Sequence, residues 1–326
     1  MSESAAAKTT AKRQATPIPD PGRPSPSVSV VVATRDRPEL LRRAVAAILG
    51  QRYEGFVECI VVFDQSDPVP VDVEPGENRA LRHIRNERTP GLAGGRNTGI
   101  LVANGDLVAF CDDDDEWLPG KLGAQVELMD RHPEAPLVST GIVVSYGDRE
   151  IPRLAPDRAL ARPDFLRDRI MEVHPSTVLI RRQVLLDRIG LVDEEIPGGY
   201  GEDYEFLLRA VDVGHIHAVH EPLVRVLWSA RSYFFDRWKM IISALHYLLE
   251  KHPDFATEPV GIARIEAQLA FAHAGLGEMR QARRWAFRAC RHNWREQRAY
   301  AALLASTRLV KIDTIVKMAH RSGRGI

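Results

Sequence analysis

The chain is poor in cysteine, in uninterrupted apolar sequence and in net charge. Its three cysteines, Cys59, Cys111 and Cys290, fit no zinc or disulfide spacing. A metal ribbon and a disulfide scaffold are therefore excluded, and free thiols suit a reducing, cytoplasmic setting. Lys plus Arg equals Asp plus Glu at 44 each, so no overall basic excess calls for nucleic acid as a partner. The longest late apolar stretch, MIISALHYLL, is too short and too polar to cross a bilayer. Residues 1–26 carry Pro17, Pro19, Pro21, Pro24 and Pro26 among Ala, Ser and Thr, which predicts a disordered tail without the apolar core of a secretory signal. The glycines of GLAGGRNTG match neither G-x-G-x-x-G nor the phosphate loop with its Lys-Ser/Thr, so dinucleotide and P-loop sites are not expected.

Acidic residues are abundant at one place. In LVAFCDDDDEWLPGKL an apolar, strand-favouring run (Leu107 to Cys111) ends in Asp112, Asp113, Asp114 and Asp115. A buried strand leaving an α/β sheet would present them at the edge where such sheets bind ligands. Packed anions repel, and a divalent cation relieves this while leaving positions for substrate phosphate. The alternative is a solvated acidic turn. Upstream, VSVVVAT (28–34) predicts a second buried strand, Asp36 can cap a helix with Pro38 in its first turn, and CIVVF (59–63) predicts a third strand ending in Asp64. A loop with Gly91, Gly94 and Gly95 would precede a short helix bearing Arg96 and Asn97.

This order of elements, with VSVVVATRDRPELLRRAVAAILGQ, ECIVVFDQSD, GLAGGRNTGILVANGDLVAFCDDDDEWLPGKL, HPSTVLIRRQVLLDRIGLVDEEI and GEDYEFLLRA, resembles the family 2 glycosyltransferases over residues 28 to about 228. The resemblance implies an α/β GT-A fold, a mainly parallel sheet with helices on both faces, a nucleotide-sugar donor (UDP-, dTDP- or GDP-sugar) and Mg²⁺ or Mn²⁺. It makes 27–228 the catalytic domain and 229–326 an α-helical, basic extension. By the same resemblance, Ala33 and Thr34 wall the nucleotide site and Asp64 accepts the base's ring N–H. Arg96 lies by the nucleotide, and Asp112 to Asp114 form the DxD segment. Asp114 and Asp112 are then the metal ligands, Asp112 or Asp113 nears the ribose, and Asp203 is the catalytic base. Many relatives place a histidine after the strand matching PLVRVLW. This chain has Trp228 and Ser229 there, which leaves either diphosphate and water to complete the metal shell or a metal site weaker than the family norm.

The chemistry supports these roles independently. Sugar transfer needs charge neutralised on a departing diphosphate and a base for the attacking hydroxyl. Asp203 follows GGYG (198–201) and opens a predicted helix, whose N-terminus favours the ionised carboxylate and weakens it as a base, whereas burial and phosphate act oppositely. For Glu202 and Asp203 the plainer reading is helix capping; for Asp64, a turn; for Arg96, a surface arginine. In GHIHAVH, His215 and His217 would share one strand face, but a half-buried strand suits them better than a transition-metal pair. His174 could line an acceptor cleft or be a satisfied polar residue.

Two competing functions remain open to the sequence. A haloacid-dehalogenase-like phosphatase also puts DxD after a strand, but expects Thr or Val where Glu116 stands; a non-catalytic binding module could keep the fold. From residue 279 onward there are twelve Lys or Arg against Glu296 and Asp313. That basic end follows alanine-rich sequence like a tetratricopeptide-type hairpin, and predicts either a packing appendage or peripheral contact with an anionic inner membrane face.

Overall fold

The computed structural model describes residues 24–147, 149–228 and 237–307. The tail and Ser229 expectations, and the basic end beyond residue 307, lie outside the described residues. Nine described strands form one sheet: β1 (Val28–Thr34), β2 (Val57–Phe63), β3 (Arg79–Arg85), β4 (Leu107–Phe110), β5 (Glu116–Trp117), β6 (Leu137–Tyr146), β7 (Arg149–Arg153), β8 (Leu179–Arg181) and β9 (His217–Leu227). Their order is β3-β2-β1-β4-β8-β6-β9-β5, with β7 on β6. β1, β2, β3 and β4 are mutually parallel, β8 is antiparallel to both β4 and β6, and β9 again runs parallel to β6.

The described residues also form ten α-helices: α1 (Pro38–Leu49), α2 (Leu92–Val102), α3 (Lys121–Arg131), α4 (Arg162–Arg167), α5 (Arg182–Val184), α6 (Glu202–Val213), α7 (Trp238–Lys251), α8 (Pro259–Gly275), α9 (Met279–His292) and α10 (Gln297–Ser306). β1 is buried at every position, as a parallel strand covered on both faces must be. Alternation divides it: Val28, Val30 and Val32 pack with Leu41, Val45 and Ile48 of α1 and Leu122 of α3, while Val31 joins Ile100 of α2 and Leu208 of α6. Each such side chain contributes on the order of 1.5–3 kcal/mol through burial.

Several local expectations need correction. Asp36 does not cap α1; it adopts φ 55°, so the cap position falls to Arg37 without a side-chain bond. Gly94 and Gly95 lie inside α2 rather than in a loop. A Cβ on Gly94 would stand 1.9 Å from the Thr89 carbonyl oxygen and one on Gly95 2.9 Å from Ala33 Cβ, so close packing of α2 against its entry turn and β1 requires them. β3, RALRHIR, carries too much charge to read as a strand and is found at the sheet's edge. The half-buried strand expected around GHIHAVH is found as β9, which begins at His217; that ring stacks on His132.

The C-terminal helices share the core of the region before them. Ile241, Leu245 and Leu248 of α7 and Ile262, Ile265 and Leu269 of α8 belong to the same buried cluster as Phe165, Tyr204 and Phe206. The alanine-rich hairpin is α8 and α9, closed by α10 through Ala263, Ala267, Ala286, Ala289, Ala299 and Ala302. No described helix is long and apolar enough to cross a membrane.

Lys121 is wholly buried at the start of α3, with Nζ donating to Gln125 Oε1 at 2.7 Å and lying 3.7 Å from the Trp117 ring centre. Burial pushes its ammonium down to about 7, against about 10.4 unfolded. The resulting penalty is fully present below pH 7 and disappears as pH rises toward 10. Lys121→Met is therefore expected to gain stability, by about 2–3 kcal/mol more at pH 6 than at pH 9. Denaturant melts at the two pH values measure the difference; an equal effect at both would contradict it.

Candidate functional site

β1, β2 and β4 end side by side, and the turns after them enclose a cavity of about 860 Å³. Ala33 and Thr34 close β1, Asp64 follows β2, and Asp112, Asp113 and Asp114 follow β4; all six line it. Asp64 accepts from Asn86 Nδ2 at 2.8 Å, Gln65 Nε2 at 2.8 Å and the Gly91 N–H at 3.1 Å. Burial pushes its carboxyl up, but these donors outweigh burial and hold it below the usual carboxylate range.

After β4 the carboxylates crowd together. Thr34 Oγ1 donates to Asp113 Oδ2 at 2.7 Å, and Arg37 Nη1 reaches Asp113 Oδ1 at 3.1 Å and Asp114 Oδ2 at 2.8 Å. Burial raises both carboxyls; neighbouring aspartates raise them further and Arg37 only partly compensates. Asp115 turns inward, accepts from Ser176 Oγ at 2.5 Å, and is pushed well up by burial and by Asp112.

Arg96 and Asp203 do not line this cavity. They flank a small apolar hollow walled by Phe110, Val173 and Phe206. Arg96 is almost completely buried, with Nη2 2.7 Å from Asp112 and Nη1 3.2 Å from Glu202. It thus ties Asp112 to the start of α6, and replacing Arg96 itself would take the paired cation from buried Glu202, at a cost of about 3–5 kcal/mol. Asp203 pairs with Arg169 at 2.5 Å. Burial raises its carboxyl, but Arg169 and Arg96 outweigh this and hold it below its ordinary value. Its neighbour Glu202 does line the cavity, and burial together with Asp203 pushes it up to about 7.

Arg37, Arg169 and Ser176 were not picked out by sequence reasoning. Each meets its carboxylate across at least 34 residues, with no periodic signal to mark it. His174, left open between cleft and core, lies among the acids: Nδ1 is 3.4 Å from Asp115 and Nε2 4.0 Å from Asp112. An imidazole thus reaches the carboxylates from a different segment than the one holding Trp228, which packs under Arg153.

The sequence profile of glycosyl transferase family 2 matches residues 29–188, and that segment is a glycosyl transferase family 2 domain. A similar protein is the UDP-Glc:alpha-D-GlcNAc-diphosphoundecaprenol beta-1,3-glucosyltransferase WfgD of Escherichia coli, 27% identical over 124 residues, 38% of this chain and 46% of that enzyme. The pre-mycofactocin glycosyltransferase of Mycobacterium tuberculosis is 26% identical over 268 residues, 76% of this chain and 52% of that protein. The chain spans about half the length of each. Among solved structures, S. aureus TarS 1-349 in complex with UDP superposes with a TM-score of 0.56 at 18% identity, covering 91% of this chain and 92% of that one. That likeness is one of fold and matches the GT-A-type expectation. The phosphatase reading is not favoured.

Proposed function

We propose that the chain moves a sugar from a UDP-, dTDP- or GDP-sugar to an acceptor hydroxyl with inversion, assisted by Mg²⁺ or Mn²⁺. The observation that carries this is the 860 Å³ cavity lined together by Asp64, after β2, and by the three consecutive carboxylates Asp112, Asp113 and Asp114, after β4. The names of the relatives support a nucleotide donor: WfgD is a UDP-Glc enzyme and TarS has a UDP complex.

Asp64 would accept the base's ring N–H, a contact that uracil, thymine and guanine can all make. Ala33 and Thr34 would wall the nucleotide, and Asp113 would sit by the ribose. The all-oxygen donors Asp112 and Asp114 fit a hard cation, whose charge would relieve the crowding that raises Asp113 and Asp114. When bound, such an ion supplies neutralisation of the charge growing on the leaving diphosphate. Arg96 would keep Asp112 in place, and Asp203 would take the acceptor's proton as the hydroxyl attacks the anomeric carbon. A single displacement of this kind inverts that centre. A screen of nucleotide sugars for nucleoside diphosphate release, with and without Mn²⁺, tests the reading; release from none of the three classes would overturn it.

For the acceptor, WfgD is named for an alpha-D-GlcNAc-diphosphoundecaprenol, and a lipid-linked acceptor of that kind would require docking on an anionic cytoplasmic leaflet. Arg280, Arg284, Arg291 and Arg295 are exposed on and beside α9 with Phe287 and Trp294. Each basic group contributes about 1 kcal/mol at such a surface, screened by salt. Salt-sensitive sedimentation with phosphatidylserine vesicles is expected, and replacing the four arginines by glutamine should abolish it. Unchanged sedimentation of the variant would leave the helices as a packing unit.

A further inference from the structure

A second group of metal-ligating side chains converges at the opposite edge of the sheet. His132 caps the C-terminal end of α3, Glu134 follows two residues later, and His217 opens β9. His217 pairs with Val138 near the start of β6, and both strands run parallel to β4. The group therefore lies where these strands begin, whereas the donor cavity lies where β1, β2 and β4 end.

One ligand atom from each residue lies within 4.8 Å of the other two. Glu134 Oε1 is 3.4 Å from Nδ1 of His132 and 3.9 Å from Nε2 of His217. The two imidazoles stack with centroids 3.6 Å apart and planes 15° from parallel, beside an open hollow of about 350 Å³. Neighbouring cations are engaged elsewhere: Arg131 faces Glu127 and Arg158 pairs with Asp164.

We propose that His132, Glu134 and His217 form a site for a divalent transition ion of the zinc class, separate from the donor cavity. Two imidazoles, one carboxylate and a water from the hollow make a four-coordinate nitrogen and oxygen set, which suits such an ion better than the hard Mg²⁺. Bonds of about 2.0–2.1 Å to a shared ion need donors roughly 3.3 Å apart. The three groups must therefore close in by about an ångström, and one ring must tilt out of the stack so that its lone pair points at the ion. His132, with a side chain 33% exposed, has room to do so. The bound ion would pin the end of α3 to the start of β9.

The test uses untagged full-length protein titrated with Co²⁺, followed by its visible absorption, and then with Zn²⁺ by calorimetry. One equivalent should bind with the intense bands of a four-coordinate site, and Zn²⁺ should displace it. His132→Ala and His217→Ala should each weaken binding by about 10- to 100-fold, while Asp114→Ala leaves it unchanged. Glu134→Gln, at an exposed position, keeps the stack intact and carries the same expectation. A wild-type chain without the Co²⁺ bands, or variants that bind Zn²⁺ as tightly as wild type, would overturn the site. Binding lost in Asp114→Ala alone would instead assign the ion to the donor cavity.

Discussion

Replacing Asp114 by alanine is expected to remove about 3–5 kcal/mol of transition-state stabilisation, a fall of roughly 10²- to 10⁴-fold in turnover. Asp114 sits on the cavity wall at the point where β4 ends, one of three consecutive carboxylates facing the space where a diphosphate would lie. Burial and two neighbouring aspartates raise its carboxyl, so the position is costly to keep ionised unless a cation shares it. Arg37 meets part of that need at 2.8 Å, but a single guanidinium divided between Asp113 and Asp114 leaves the third acid, Asp112, to Arg96. The alanine variant should also bind Mn²⁺ more weakly, which paramagnetic resonance can follow without any turnover. Undiminished transfer by this variant in the presence of a chelator would remove the DxD assignment.

Asp203→Asn should lower transfer by about 10² to 10⁴ while leaving donor affinity nearly unchanged, because the amide keeps the size of the side chain but cannot take a proton. The pH profile separates this residue from its neighbour. Arg169 and Arg96 hold Asp203 below its ordinary value against the effect of burial, so it stays ionised throughout the neutral range. A base at Asp203 therefore predicts no acid limb near neutrality. Glu202, pushed up to about 7, would instead impose a loss of kcat/KM as pH falls through 7. Such a limb, abolished by Glu202→Gln and accompanied by an active Asp203→Asn variant, would transfer the role to Glu202. Calorimetry of the donor in both variants distinguishes a lost base from a damaged site.

The parts of the fold that were legible in the sequence are those where one physical demand dominates. β1, β2 and β4 are buried on both faces and so read as continuous apolar runs, and the acids at their ends mark the cavity that their parallel alignment creates. β3 escaped because it lies at the sheet's edge and its positions are only half buried, which lets arginines enter it. Gly94 and Gly95 misled for a different reason. Their low helix propensity points to a loop, and only the approach of Thr89 and Ala33 makes glycine the residue that a helix needs there. The partners of the acids were the least visible. Arg37 and Arg169 are unremarkable in their local sequence, and their meaning comes from carboxylates brought to them by the chain's return.

The helices after residue 237 have a mechanical consequence for Glu202 and Asp203. Arg264 of α8 donates through Nη2 to the Tyr204 hydroxyl at 2.8 Å, Tyr204 itself donates to the Phe165 carbonyl, and Tyr204 is the residue next to Asp203. The first turn of α6 is thereby braced from behind by a segment that sequence alone would treat as an accessory. Chimeras that exchange this helical unit for one from another transferase would loosen the brace along with the surface they meant to replace. An acceptor preference carried by these helices could not be transplanted by itself; the graft would have to include Tyr204 and its hydroxyl's two partners, Arg264 and the Phe165 carbonyl.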